Sequence, residues 1–158
     1  MSIFVPAHLE IKKSRRNGKG VFVKKHIKKG QLVISLAQSG TISSNVNASK
    51  KAIQIDADLY LDPKHHVWGF LNHSCEPNTM FDSENFQIFA IRDIMAGEEI
   101  TYNYCTTEFD LLAKNEHFSC RCGSKNCIGT ISGFKHLPQE LKVQLKPYLA
   151  NYLKKFEW

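Results

Sequence analysis

Cys120, Cys122 and Cys127 stand within eight residues in a C-x-C-x4-C pattern. A fourth cysteine, Cys75, lies in the polar run Asn72-His73-Ser74-Cys75-Glu76-Pro77-Asn78. Four thiolates are what a closed structural zinc site needs. The spacers between the three clustered cysteines are small or polar, with Gly123 for a sharp turn. A tetrathiolate zinc carries a formal charge of about −2, so its sulfurs need N–H donors and cations nearby. Arg121, Lys125 and the turn amides around Gly123 are placed to supply them. His73 and His117 are rival fourth ligands; Cys75 is preferred because it completes four sulfurs and leaves the histidines free. A Cys75–His73 nucleophile pair is the competing chemistry, and the downstream cluster explains Cys75 better. Cys105 is left over as a packing thiol.

Two other segments could carry chemistry. In Asn17-Gly18-Lys19-Gly20-Val21-Phe22, two glycines flanking one residue allow a tight turn and close backbone approach to a ligand, although many such pairs are plain hairpin turns. In Gly97-Glu98-Glu99-Ile100-Thr101-Tyr102-Asn103-Tyr104, alternation predicts a strand with Tyr102 and Tyr104 on one face. Their hydroxyls would line a polar-aromatic slot; ordinary aromatic packing is the bland account of the same pair.

The elements that must position these groups read mostly as short strands. Leu9–Lys12, Val21–Val23, Gln31–Leu36, Ile53–Asp56, Leu59–Asp62 and Phe86–Ile91 are apolar or alternating runs separated by turn residues. Ser39-Gly40 and the stretch from Ser43 to Ser49 read as loop. Near the C-terminus Leu141, Leu145, Tyr148, Leu149, Tyr152, Leu153 and Phe156 follow a helical period. Pro138 and Pro147 suit first-turn positions and predict two short helices packed on the same domain. The fold class expected is mainly β with short helices.

The chain has 158 residues and 42% hydrophobic residues, consistent with a single domain. Five cysteines, and no basic start with a long apolar run after it in Met1 to Pro6, predict reduced thiols in a cytosolic or nuclear setting. Delivery into another cell is compatible with this. No apolar run approaches a membrane span. With 21 Lys and Arg against 15 Asp and Glu, the charge permits nucleic-acid contact, but a solvated lysine-rich surface is the preferred account because no aromatic-spaced basic stripe supports the alternative. A monomer is expected.

Taken in order, G-K-G-V-F, N-H-S-C-E-P-N, F-A-I-R-D-I-M-A-G-E-E-I-T-Y-N-Y and C-R-C-G-S-K-N-C-I-G resemble the signatures of the SET-domain protein lysine methyltransferases. The last segment is similar to the family's post-SET zinc segment. The resemblance covers roughly residues 8 to 130. It implies small curved β-sheets with a knot-like crossing that brings the Asn72 segment against the Tyr104 segment. It divides the chain into a SET domain (8–108), a post-SET zinc segment (109–134) and a C-terminal helical extension (135–158). It implies S-adenosylmethionine as cofactor, one structural zinc held by Cys75, Cys120, Cys122 and Cys127, and methyl transfer to a lysine nitrogen of a protein or peptide, histone tails being the favoured class. Lys19 and Gly20 would meet the cofactor through backbone, Asn72 and His73 would hold its amine and adenine ends, and Ile128 and Gly129 would close over it. Tyr104 matches the catalytic tyrosine. Tyr102 matches the position that limits the number of methyl groups, which favours mono- or dimethylation. One departure is Gly69, where many members carry Arg. The alternatives are a catalytically inactive SET-fold peptide-binding module and a zinc-stapled nucleic-acid-binding protein.

Overall fold

The computed structural model describes residues 2–156. Its strands are short, as the punctuated sequence predicts. In chain order they are β1 (Leu9–Lys13), β2 (Lys19–Val23), β3 (Leu32–Ser35), β4 (Thr41–Ser44), β5 (Ile53–Gln54), β6 (Leu59–Asp62), β7 (Asn72–His73), β8 (Thr79–Asp82), β9 (Gln87–Ala90), β10 (Glu99–Tyr102), β11 (Phe118–Ser119) and β12 (Thr130–Ile131). They form small sheets in the orders β1-β2-β10-β7, β3-β9-β8, β4-β6-β5 and β11-β12.

The strand β10 is the centre of the molecule. It pairs antiparallel with β2 through Glu99↔Phe22 and Ile100↔Val21. It pairs in parallel with β7 through Thr101↔Asn72 and Tyr102↔His73. All four of its residues are buried, including Glu99 and Thr101. Buried polar groups need partners, and Asn78 provides them. Its Nδ2 donates to the Glu99 carbonyl at 2.8 Å, and its Oδ1 accepts from the Thr101 N–H at 2.9 Å. The polar motif that begins at Asn72 thus grips β10 with both ends.

Two apolar clusters hold the fold. The larger joins Val21, Val23, Leu36, Ile88, Ile94 and Ile100. The smaller joins Cys105, Ile131, Phe134, Leu149, Tyr152 and Leu153, so the C-terminal stretch does pack on the segment after β10. The Ala150 N–H donates to the Thr106 carbonyl at 2.8 Å, and the Tyr152 phenol donates to the Thr107 carbonyl. Only one α-helix is found among the described residues, α1 (Gln139–Leu145), where two short helices are expected from the sequence. Residues 146–148 and 153–155 are single 3-10 turns instead. Pro147 lacks an N–H to give back to the preceding turn, which breaks the helical ladder there, while Lys146 itself keeps helical backbone angles. Glu157 and Trp158, the end of the expected extension, lie outside the described residues.

Two sequence expectations fail locally. The segment beginning at Ser43 is not all loop, because Ser43 and Ser44 belong to β4, which pairs with β6 from Thr41↔Asp62 to Ser44↔Leu59. The strand expected to reach Tyr104 ends at Tyr102. Asn103 caps a 3-10 turn, its Oδ1 accepting from the Cys105 N–H at 3.0 Å. No helix among the described residues is long and apolar enough to cross a membrane.

Candidate functional site

A cleft of about 800 Å³ lies against β7 and the end of β10. That volume is within the range of small-molecule and cofactor sites. Lys19, Asn72, His73, Tyr102 and Tyr104 all line it, as do Cys120 and Cys122. Gly69 and Phe70 contribute another wall.

The floor is aromatic. Tyr102 and Tyr104 have ring centroids 4.9 Å apart, although Tyr104 sits in the turn rather than the strand. The Tyr104 hydroxyl donates to the Leu71 carbonyl at 2.6 Å. Burial raises the pKa of both phenols, reinforced by Glu108 and by Tyr104 beside Tyr102. Both therefore stay protonated at neutral pH and act as hydrogen-bonding groups, not bases.

His73 ties this floor to the cysteines. Its Nδ1 accepts the Tyr104 N–H at 3.0 Å, so Nε2 carries the proton. Nε2 lies 3.3 Å from the Cys75 Sγ and donates to it. Burial, with the Arg16 guanidinium, lowers the His73 pKa to about 4, which keeps the ring neutral.

The four cysteine sulfurs, from Cys75, Cys120, Cys122 and Cys127, lie within 4.8 Å of one another. Tetrahedral Zn–S bonds of about 2.3 Å place sulfurs roughly 3.8 Å apart, and Cys75 and Cys120 are separated by 3.9 Å. The donor set therefore fits zinc, with no histidine needed. Burial raises the Cys122 thiol, but N–H groups of Cys75 and Ser124 and the neighbouring thiols outweigh it and bring it down to about 7. Turn amides serve the sulfurs as expected, whereas Arg121 and Lys125 are exposed. Asn126 Nδ2 donates to the Glu76 carboxylate at 2.7 Å, a second link between the two cysteine segments. Ile128 and Gly129 stand against the cluster and outside the cleft lining. The Ile128 N–H serves Cys75, and the Gly129 carbonyl accepts from the Cys120 N–H at 2.7 Å. Cys105 is fully buried, and burial pushes its thiol up to about 12.

At the opposite end stands a network that the sequence reading missed. Glu99 is buried and accepts from Ser14 Oγ at 2.9 Å, Arg16 Nη1 at 2.8 Å and Asn72 Nδ2 at 2.8 Å. Asn72 Nδ2 also faces the carbonyls of Asn17 and Lys19. Gly20 makes this possible, because a Cβ there would lie 2.1 Å from Glu99 Oε1. Its freedom from a side chain serves the protein's own carboxylate. The only buried side-chain nitrogen or oxygen lacking a partner among the described residues is Arg16 Nε. Arg16 also lines the cleft, which brings its guanidinium charge to the edge of that space. Gly69 is explained by Pro63, whose Cγ would meet a Cβ at 2.8 Å; an arginine cannot enter unless Pro63 moves.

Residues 18–105 match the family model of the SET domain. The chain belongs to the SET domain family. Its relatives include the variant-silencing SET domain-containing protein of Plasmodium falciparum, 37% identical in an alignment of 143 positions that covers 76% of this chain and 5% of that protein. Methyltransferase flvH of Aspergillus flavus is 34% identical over 53% of this chain and 48% of its own length. Histone-lysine N-methyltransferase 2B of Homo sapiens is 30% identical over 73% of this chain and 5% of its own. The chain spans less than half the length of each. Among solved structures, KRYPTONITE in complex with mCHG DNA and SAH matches with a TM-score of 0.61 and 25% identity, over 77% of this chain and 28% of that one.

Proposed function

We propose that the chain is an S-adenosylmethionine-dependent protein lysine N-methyltransferase acting on histone or histone-like tails in a reducing, intracellular setting. The observation that carries this is the pair of buried Tyr102 and half-buried Tyr104 beneath a cofactor-sized cleft, with Tyr104 tied to Leu71 and, through His73, to the cysteine cluster. The named activities of the histone-lysine methyltransferase relatives and the SAH of the structural neighbour support the same class. In this reading residues 8–108 are the SET domain, 109–134 the zinc segment and 135–158 the extension.

When bound, the donor supplies a methyl group on a sulfonium, open to direct displacement by an amine. Asn17, Lys19 and Gly20 backbone, Asn72 and Arg16 would hold its polar end. His73 orients Tyr104, and Ile128 and Gly129 act through the zinc cluster at the cleft's edge. The substrate lysine must be a neutral amine when it attacks. With a reference pKa near 10.4, losing its proton at pH 7 costs about 4.6 kcal/mol, and a dry channel reduces that cost by penalising the ammonium. The Leu71 carbonyl and Tyr104 hydroxyl then fix the nitrogen in line. Tyr102 occupies the space of a further methyl, which favours mono- or dimethylation. The zinc at Cys75, Cys120, Cys122 and Cys127 is structural. Peptide is the expected partner; the basic surface makes nucleic-acid contact a secondary one.

The test is transfer of labelled methyl to histones by the wild-type chain and by Tyr104→Phe. Turnover should fall on the order of 10²-fold or more while donor affinity stays within a few-fold. Full turnover in the variant overturns the role of Tyr104. Donor binding with no transfer by the wild type favours an inactive peptide-binding module.

A further inference from the structure

Glu108 is a buried carboxylate that neither the tyrosine pair nor the zinc cluster accounts for. It follows the turn that carries Tyr104, and its N–H donates to the Tyr104 carbonyl at 2.8 Å. Its two oxygens differ. Oε1 accepts from the Gln54 N–H at 2.9 Å and faces the Thr107 hydroxyl at 3.4 Å. Oε2 faces only a cation, Lys114 Nζ, at 3.5 Å. That is well beyond the 2.7–2.9 Å of a charge-assisted bond. Lys114 is held more closely by Glu116 at 3.1 Å, and it lies 4.5 Å over the Tyr60 ring. Glu108 and Lys114 line the same cleft as Tyr102 and Tyr104.

A carboxylate and an aromatic face together make a cation receptor. Here its occupant is a lysine ammonium, loosely held, with Glu116 beside it to keep the charge once it moves. We propose that Glu108 receives the substrate lysine's ammonium in the cleft, and that Lys114 is its placeholder when no substrate is present. This rests on the lysine methyltransferase reading above and names the group that selects its substrate. A single proton moves from the ammonium to Glu108 Oε2, leaving a neutral amine and a carboxylic acid. It passes to water when Lys114 returns. Burial raises the Glu108 pKa, which suits an acceptor working near neutral pH. The other titratable groups around it are Glu116, the Cys105 thiol, which burial also raises, and the phenols of Tyr60, Tyr102, Tyr104 and Tyr152. Burial also raises each of these phenols, so they remain neutral in the same range.

The experiment uses the full chain, zinc-loaded, with whichever histone-tail peptide the wild type methylates best. Peptide Kd without donor, peptide KM and kcat, the pH profile of kcat/KM and donor Kd are measured for wild type, Glu108→Gln and Lys114→Met. Glu108→Gln should raise peptide Kd and KM about tenfold or more, keep donor Kd within twofold, and remove the acid limb of the pH profile. Lys114→Met should lower peptide KM severalfold. A folded Glu108→Gln variant with wild-type peptide Kd, KM and pH profile overturns the proposal. Should Glu108→Gln not fold, a Lys114→Met variant with unchanged or raised KM overturns it. If the wild type methylates no lysine peptide, the parent reading falls and takes this one with it.

Discussion

The sharpest physical prediction concerns Gly20→Ala, a single methyl added against the buried Glu99 carboxylate. The new Cβ would lie 2.1 Å from Glu99 Oε1, 2.8 Å from its Cδ and 3.2 Å from Asn72 Nδ2. The carboxylate must retreat by about 1 Å to reach ordinary contact. It cannot do so and keep the bonds to Ser14, Arg16 and Asn72, all between 2.8 and 2.9 Å. Overpacking alone costs about 1–3 kcal/mol. Breaking a buried charge's pairing costs about 3–5 kcal/mol. The Glu99 side chain is 4% exposed but Arg16 is 30% exposed, so solvent softens the second figure. The expected net loss is about 3 kcal/mol, or a Tm lower by about 6–12 °C for a chain of this size. Urea unfolding of Gly20→Ala, Glu99→Ala and the double variant forms a cycle. With the carboxylate gone, the added methyl has room and should cost under about 1 kcal/mol. Gly20→Ala unfolding like the wild type, or costing the same in both backgrounds, would refute the reasoning. Donor affinity should fall with stability in the single variant, because Arg16 and Asn72 move with Glu99.

Further outcomes follow from the same geometry. Tyr102→Phe should shift the product toward higher methylation by freeing space at the lysine nitrogen; mass spectrometry giving the wild-type product distribution would remove that role. Cys122→Ser should lose one zinc per chain by elemental analysis and weaken donor binding, because the cluster closes one edge of the cleft. Metal-free wild type that binds donor normally would contradict this. Asn78→Ala should destabilise by about 2–5 kcal/mol, since it strands the Glu99 carbonyl and Thr101 N–H in the core; denaturant titration within 1 kcal/mol of wild type would show that β10 finds other partners.

Much of the site is legible in the sequence because its motifs are local and chemically unusual. The four cysteines gather as their types and spacing suggest, and the Asn72-His73 segment meets the Tyr102-Tyr104 segment as the family resemblance implies. The partners of those residues are another matter. Arg16 and Glu99 meet across most of the domain, and nothing near either marks it as half of a buried pair. Glu108 reads as one acidic residue among others until burial singles it out. Thr41–Ser44 escapes notice as a strand because Ile42 faces solvent, so the run carries no inward apolar alternation. Asn72–His73 is too short for any period to show. Pairing with β10 makes it a strand, an interaction no window of neighbours contains. The helical period after Pro138 correctly marks residues that pack, yet Leu149 and Leu153 are buried from turns rather than from a helix face.

The central position of β10 also governs how the cleft is assembled. Its partners Phe22 and Val21 lie near the other end of the SET-matching region, and its parallel neighbour Asn72–His73 cannot be reached by a tight turn. Loop-closure entropy must be met before such distant pairings return anything. Until β10 is threaded between β2 and β7, Glu99 has no Arg16, Tyr104 has no His73, and Cys75 is not anchored beside the other cysteines. The parts of the site are therefore joined only when the distant pairings of β10 are made.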